Sequence, residues 1–325
     1  MQPDGSWGRN NAGLISDGEA SLLVDTLFDM RLTEHMLATM RAAVPAAKRI
    51  GTVVNTHANG DHCWGNALVR DAEIIASRRG AAEMAEIPPA LMAKLSKVAR
   101  LSVRIGKLGA GLGRLAGKLG VEMIASVIEA APYVLEIFGA FEFDDIELVL
   151  PSKTFDHQLT INVGSKTVEL IEVGPAHTKG DVIVHVPGDR VVYTGDILFI
   201  GGHPVVWEGP FSNWIAACER IEAMDVDAIV PGHGPLTDKA GVRKLREYLE
   251  YVQSEARKRY DAGMGAFEAA QDIALKGFAD WSEAERMVVN VDTLYREFSG
   301  AGPRKSVVPC FAAMARFSGK SLQSL

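Results

Sequence analysis

The sequence has little cysteine, no excess of positive charge and no long apolar run, and each absence excludes a class of protein. Only three of its 325 residues are cysteines, Cys63, Cys218 and Cys310. An odd and widely spaced set is no disulfide framework, so it favours a reducing compartment. The net charge of −7 at pH 7 argues against a nucleic-acid partner that is bound through overall charge.

Membrane-spanning and secreted classes are also disfavoured by the sequence. The best candidate for a span, residues 121–141, is interrupted by Glu122, Glu129 and Glu136. The first ten residues are polar and lack the apolar core of a secretory signal peptide. We therefore expect a cytoplasmic protein with no integral membrane segment.

Short apolar segments bounded by turn residues predict strands, and segments with a helical period predict helices. The predicted strands are residues 12–15, 21–25, 52–55, 73–76, 146–150, 159–163, 168–173, 182–186, 191–193 and 228–230. The predicted helices are residues 32–48, 212–224 with Ser212 as N-cap, 238–262, 266–275 and 282–298. This order of elements indicates an α/β protein with mixed sheets.

Residues 78–142 interrupt the strands with a helical pattern, which we interpret as an inserted lid. Between residues 91 and 120 there are seven basic and no acidic residues: Lys94, Lys97, Arg100, Arg104, Lys107, Arg114 and Lys118. Most are three or four positions apart, so they share a helix face, and the favoured interpretation is a solvated basic face. Membrane-surface contact through 91–120, or a clamp for an acidic or long-chain substrate, is the alternative. The predicted domains are residues 1–240 with this lid and a helical extension, 241–325, that packs on it or forms a homodimer interface.

The most informative stretch follows the predicted strand 52–55 and contains His57, Asn59, Asp61 and His62 within six positions. Imidazole and carboxylate groups are the preferred ligands of zinc-like cations, so this density predicts a metal site. Because Asp61 and His62 are adjacent, their side chains would diverge on a helix or a strand. Their convergence therefore predicts a tight turn at Gly60.

Three further polar residues follow predicted strands on glycine-flanked loops. His177 follows the strand 168–173, Asp196 follows 191–193, and His233 follows 228–230. In α/β sheets the carboxyl ends of strands collect functional groups. We expect these residues to join the first group at one sheet edge.

Taken in this order, the motifs resemble those of the metallo-β-lactamase-fold hydrolase superfamily, H-x-H-x-D-H, then a single His, a Gly-Asp and a final Pro-Gly-His. The resemblance covers about residues 11–236 and implies an αββα sandwich with metals at one edge between its sheets. It implies a first metal held by His57, position 59 and His177, a second held by Asp61, His62 and His233, and Asp196 as a bridge between them.

The sequence departs from this pattern at Asn59, where the family has its second histidine. A carboxamide oxygen is a weaker zinc ligand than an imidazole, which predicts a weakened first site. Occupancy of the second site alone, or a metal other than zinc, remains an alternative. The expected cofactor is one or two zinc ions, with iron or manganese as alternatives.

The resemblance implies a metallo-hydrolase that uses a metal-activated hydroxide on an ester, lactone, thioester or amide of a small hydrophobic or anionic substrate. Asp61 is the predicted proton carrier, and His203, which lies shortly after Asp196, is a second catalytic candidate. Trp7, Trp64, Trp207 and Trp214 could line a pocket, but we expect them to be core residues. Rival functions are an iron-dependent oxygenase or cyclase on the same scaffold and a binding protein with a degenerate site.

Overall fold

The structure is a computed structural model that describes residues 6–86, 88–106, 111–112, 115, 122–302, 304 and 306–321. Ten strands are assigned to two sheets: β1 Gly13–Asp17, β2 Ala20–Val24, β3 Thr52–Val54, β4 Glu73–Ser77, β5 Lys153–Phe155, β6 Gln158–Val163, β7 Lys166–Glu172, β8 Val182–Val186, β9 Val191–Tyr193 and β10 Ala228–Val230. The helices are α1 Met30–Ala43, α2 Gly60–Cys63, α3 Arg78–Met84, α4 Pro89–Arg104, α5 Glu122–Phe138, α6 Phe211–Ala223, α7 Lys239–Asp261, α8 Ala266–Asp272, α9 Met287–Ser299 and α10 Val308–Phe317.

The strands form two five-stranded sheets. The first has the order β1-β2-β3-β4-β5, with β1 antiparallel to β2 and the other neighbours parallel. The second has the order β10-β9-β8-β7-β6, in which only β9 and β10 are parallel neighbours. As a result, the carboxyl ends of β2 and β3 lie at one edge of the first sheet, and those of β7, β9 and β10 lie at one edge of the second.

The layers follow from the alternation of side chains along each strand. In β2, Leu22 and Val24 point into the core between the sheets, where they meet Leu170 and Val184 of the second sheet. Leu23 points the other way and packs with Leu37 of α1 and other apolar residues. The resulting order of layers, helix, sheet, sheet and helix, confirms the αββα sandwich.

The C-terminal helices pack on the outer face of the second sheet. Ile183 and Val192 of that sheet belong to one buried cluster with Leu245 and Leu249 of α7. The predicted extension therefore shares a core with the sandwich. The boundary at residue 240 stays a prediction.

Some predicted elements were wrong. The stretch 146–150 is irregular, because Ile146 and Leu148 contribute their side chains to a cluster beside the insertion without joining a sheet. The fifth strand of the first sheet is instead β5, whose Lys-Thr-Phe sequence has no apolar run. Helix α1 stops at Ala43, because Pro45 begins a separate 3-10 turn. Ser212 is not an N-cap, since Pro210 caps α6.

The insertion is helical where it is described. Helices α4 and α5 pack against each other, and α5 also packs on α10. The glycines at positions 109, 111 and 113 predict a break between helices, and most residues between 107 and 121 lie outside the described ones. None of the described helices is both long enough and apolar enough to cross a bilayer.

Candidate metal centre

The structure brings the seven residues proposed as metal ligands to one edge of the sandwich. They lie in the loops and turns that follow β3, β7, β9 and β10 and in the one-turn helix α2. The seven residues are His57, Asn59, Asp61, His62, His177, Asp196 and His233. All except Asn59 and Asp61 are almost completely buried, and Asp61 is 9% exposed at the wall of a cavity.

Asp196 lies at the centre of this group. Its carboxylate oxygens are 3.1 Å from His62 Nε2, 3.3 Å from His177 Nε2, 3.4 Å from His233 Nε2 and 3.7 Å from His57 Nε2. His233 Nε2 also lies 3.4 Å from Asp61 Oδ2.

Two triads have ligand atoms that all lie within 4.8 Å of one another. One triad is His57, His62 and Asp196, and the other is Asp61, His62 and His233. The second triad matches the second metal set that the family resemblance implies, whereas the first replaces His177 with His62.

The predicted tight turn at Gly60 was wrong, because Gly60 begins a short helix. Asp61 and His62 lie in the single helical turn α2, with Asn59 as its N-cap residue. Their ligand atoms nevertheless lie within 4.8 Å of each other and of the His233 ligand atom.

Two glycines keep the loops close enough for these contacts. A Cβ atom on Gly232 would lie 2.0 Å from Asp196 Oδ1, and one on Gly195 would lie 2.6 Å from Thr56 Oγ1. Gly195 also has a φ of +51°, a conformation that residues with a side chain rarely adopt. The Gly-Asp and Pro-Gly-His sequences thus include their glycines for steric reasons.

Asp25 also belongs to this group, although its sequence position does not single it out as a candidate. It follows β2, has a φ of +62° and is buried. Its Oδ2 accepts hydrogen bonds from His62 Nδ1 at 2.8 Å and from the Thr56 hydroxyl at 2.7 Å, and its Oδ1 accepts one from the Thr56 backbone N–H. Its position directly after a strand, like that of the ligands, was the only sequence signal.

These hydrogen bonds determine which ring nitrogen of each histidine carries the proton. Because the Thr56 hydroxyl donates to Asp25, its oxygen accepts from His57 Nδ1 at 3.1 Å. His177 Nδ1 donates to the carbonyl of Val205 at 2.7 Å. The Nε2 lone pairs of His57 and His177 are therefore available toward Asp196, as metal ligation requires.

Several atoms of the centre are buried without a hydrogen-bond partner. They include His57 Nε2, His62 Nε2 and Asp196 Oδ1, and the 3.1 Å contact between the last two lacks hydrogen-bond geometry. Buried polar atoms of this kind are costly unless something satisfies them. A cation with nitrogen and oxygen ligands would satisfy all three, so the donor set fits a zinc-like ion.

The charges at the centre support the same conclusion. Burial disfavours the ionised carboxylate, but the surrounding histidines hold the pKa of Asp196 well below its ordinary value. Burial likewise opposes protonation of His62 and His233, but nearby carboxylates raise the pKa of His62 well above its ordinary value and that of His233 to about 9. The carboxylates thus need a compensating positive charge, which protons supply here and which a divalent cation would supply on displacing them.

Asn59 contacts His177 Nε2, the ring nitrogen that would bind the metal. Its Nδ2 lies 3.0 Å from His177 Nε2 and donates to it, because the other ring nitrogen of His177 carries the proton. Burial lowers the pKa of His177 to about 4, so its Nε2 remains an acceptor at neutral pH. The carboxamide therefore competes with a metal ion for this lone pair.

His203 is placed apart from the other candidates. Its Nδ1 lies 3.1 Å from the hydroxyl of Tyr248, and its ring packs against Trp281. It is fully buried and does not line the cavity at the metal centre. The catalytic role of His203 stays a prediction, and this placement favours a structural one.

A cavity of about 180 Å³ adjoins the centre, and Asp61, His177, Asp196 and His233 are among its lining residues. Its walls are mainly apolar and aromatic: Trp7, Phe28, Trp64, Met92, Phe138, Phe199, Val205, Trp207, Val307 and Phe311. Trp64 is a buried core residue, as expected, and Trp7 and Trp207 are partly buried. All three also line this cavity, which was the alternative role for them.

Comparisons with known proteins agree with this geometry. Among curated proteins, the chain is 31% identical over 77 residues to the 2,4-dinitroanisole O-demethylase subunit alpha of Nocardioides sp. (strain JS1661), a match that covers 23% of this chain and 24% of the relative. It is 29% identical over 83 residues to the hydroxyacylglutathione hydrolase of Fuscovulum blasticum, which covers 24% of this chain and 32% of the relative. The chain thus spans about a third or less of the curated relatives that it matches.

A solved structure shares the fold over most of the chain. The inverting sec-alkylsulfatase Pisa1 from Pseudomonas sp. superposes with a TM-score of 0.59 and 13% sequence identity, covering 90% of this chain and 48% of that one. The family model described as the metallo-beta-lactamase superfamily matches residues 5–233, which include the seven proposed ligands. The chain belongs to the metallo-beta-lactamase superfamily.

Proposed function

We propose that the protein is a metal-dependent hydrolase that cleaves an ester, thioester, lactone or amide bond in a substrate with an extended apolar group. The observation that carries this proposal is a cluster of buried, unpaired ligand atoms beside a mainly apolar cavity that Asp196 also lines. The superfamily consists mostly of hydrolases, and one relative is named as a hydrolase.

The residues that would hold an ion are His57, His62 and Asp196, together with Asp61 and His233. When bound, a zinc-like cation supplies Lewis-acid chemistry that makes water more acidic and stabilises a developing oxyanion. Asp25 and Thr56 would hold the rings of His62 and His57 in the orientation that ligation needs.

Asp61 is the residue that we assign to proton transfer. It is the most exposed member of the two triads and lines the cavity. Burial opposes its ionisation, but His62 and His233 lower the pKa of Asp61, so its carboxylate is ionised at neutral pH. An ionised carboxylate beside the reacting bond can accept a proton and pass it to the leaving group.

The cavity continues away from the centre. A second cavity, of about 410 Å³, shares six lining residues with the first: Glu83, Met92, Phe138, Trp207, Val307 and Phe311. Its remaining walls include Leu91, Leu95 and Val134 of the insertion helices. Because the two cavities share these residues, we take them as one mainly apolar channel that leads from the metal centre toward α4 and α5.

An apolar substrate fits this channel better than an anionic one. Arg286 lines the first cavity, at the metal centre. Its Nη2 pairs with Glu283 Oε2 at 2.7 Å, and its Nη1 donates to the carbonyl of His203. Its guanidinium also lies 4.1 Å from the ring centroid of Trp7. The charge of Arg286 is thus largely satisfied within the protein.

The proposal is tested with metal-loaded protein and a series of acyl esters and thioesters of increasing chain length. Each methylene that enters the channel is worth about 0.8 kcal/mol, so kcat/KM should rise about fourfold per methylene until the channel is full. Val134→Phe should narrow the second cavity, which is called the outer cavity below, and reduce the turnover of long-chain substrates only. Val98→Phe adds the same bulk at an exposed site on α4 and should change neither the width of the cavity nor the turnover of long-chain substrates. Absence of metal-dependent turnover across acyl, lactone and amide substrates would exclude the hydrolase.

A further inference from the structure

Exposed apolar side chains are concentrated on the insertion. Nine large apolar residues are exposed in the described part of the chain, and seven of them lie between residues 91 and 124. The seven are Leu91, Val98, Leu101, Val103, Leu112, Leu115 and Ile124. Apolar residues that are scattered singly over a surface need no explanation, but such a concentration marks an interaction site.

Helix α4 differs from an ordinary surface helix in which side chains it buries and which it exposes. It buries small residues, Ala93, Ser96 and Ala99, on the side that packs with α5, and it exposes Val98 and Leu101. A surface helix normally buries its large apolar residues and exposes its polar ones. The outer face of α4 therefore presents large apolar side chains that the described part of the fold does not cover.

The charge of α4 indicates what covers this face. The helix contains four basic residues and no acidic one: Lys94, Lys97, Arg100 and Arg104. Lys97 pairs with Asp144 and Arg100 contacts the carbonyl of Gly139, whereas Lys94 and Arg104 are exposed beside the apolar residues. A second copy of the chain would place like charges opposite each other, so an anionic partner suits this face better.

We propose that the outer face of α4, defined by Leu91, Lys94, Val98, Leu101 and Arg104, docks on an anionic lipid bilayer surface. Leucine and valine side chains would enter the boundary between headgroups and acyl chains, and the basic side chains would reach the anionic headgroups. The contact is peripheral, because none of the described helices could span the bilayer.

This orientation also relates the membrane to the channel. Leu91 belongs to the outer face of α4 and also lines the outer cavity, next to Met92 and Leu95. The mouth of the channel would then lie at the lipid surface, where an apolar substrate is concentrated. This last step rests on the proposed hydrolase function, whereas the docking itself does not.

The test is sedimentation of the full-length, metal-loaded protein with vesicles. The wild type should bind vesicles of phosphatidylcholine that contain phosphatidylglycerol, bind phosphatidylcholine alone much more weakly, and be released by salt. Lys94→Gln and Arg104→Gln should each weaken binding roughly fivefold, the equivalent of about 1 kcal/mol for one basic residue near an anionic surface. The double variant Val98→Asp with Leu101→Asp should abolish binding.

Matched controls separate docking from folding and from catalysis. Leu150 and Leu236 are exposed leucines outside the insertion, so Leu150→Asp with Leu236→Asp should leave vesicle binding unchanged. Metal content should also stay unchanged in every variant. Binding is measured without turnover, so a failure of the hydrolase proposal would leave this result intact.

Two outcomes would overturn the proposal. One is that the wild type does not bind anionic vesicles at low salt, or that the double variant Val98→Asp with Leu101→Asp binds them as tightly as the wild type. The other is a dimer in solution that this double variant converts to a monomer, which would identify the face as a contact between two copies.

Discussion

Replacement of Asp25 by asparagine tests whether the residues behind the metal centre control its affinity. Asp25 accepts three hydrogen bonds, two at Oδ2 from His62 and Thr56 and one at Oδ1 from the backbone of Thr56. An asparagine has one carbonyl oxygen, so if it accepts from the backbone, its NH₂ group faces Thr56 and His62. His62 would then accept at Nδ1 and carry its proton on Nε2, the atom needed for the metal.

The expected effect follows from this change of tautomer. Loss of a group that orients a metal-binding histidine typically lowers metal affinity about 10- to 100-fold, or about 1.4–2.8 kcal/mol. The assay is a competition titration with a chelator of known affinity. Asp29→Asn is the matched control, because Asp29 is an equally buried carboxylate that caps α1, where asparagine is an equally good N-cap. Wild-type metal affinity in Asp25→Asn would refute the reasoning.

Three further predictions concern the centre and its cavity. Asn59→His should raise the number of ions bound at saturation, because an imidazole replaces the carboxamide that now donates to His177. Gly232→Ala should lower the free energy of unfolding by about 1–3 kcal/mol and weaken metal binding, since its Cβ would overlap Asp196. Glu83→Gln should raise stability above neutral pH. Burial raises the pKa of Glu83 from 4.5 to about 7, so ionisation costs stability as pH rises through that interval.

Each of these predictions has its own control. Asn59→Ala removes the same hydrogen bond without adding a ligand, so an equal gain in metal would contradict the role given to the imidazole. Gly188→Ala should have little effect, because nothing lies within 4 Å of its Cβ position. Glu86→Gln removes a neighbouring exposed carboxylate and is the control. Urea midpoints of unfolding are measured at about pH 5 and about pH 8. The pH dependence of the midpoint should differ from that of the wild type in Glu83→Gln but not in Glu86→Gln. A Glu83→Gln midpoint that keeps the wild-type pH dependence would contradict the assignment.

Most strands were predictable because they depend on local patterns, whereas the sandwich and the set of proposed ligands were implied by the family resemblance. Strands such as β8 are short apolar runs bounded by turn residues, and each ligand follows a strand or lies on a glycine-flanked loop. The order of the motifs then predicts which loops meet at the sheet edge.

Other features were not predictable, because they depend on partners far away in the sequence. The role of Asp25 depends on its hydrogen bonds to Thr56 and His62, about thirty or more residues later. The residues at 146–150 have a strand-like pattern, yet they pack as an irregular segment. The exposed apolar face of α4 arises because α5 packs on its small side chains, and the helical period does not show which side is buried.

We expect the converging ligand atoms to bind metal, and elemental analysis of protein purified without added metal measures this directly. We expect at least one transition metal ion per chain, most simply zinc, and its loss in His62→Ala and His233→Ala. A stoichiometry near two would mean that Asn59 is tolerated in the first site, and a value near one would indicate a single ion. Absence of bound metal, even after zinc, iron or manganese is supplied, would show that these residues do not form a metal site.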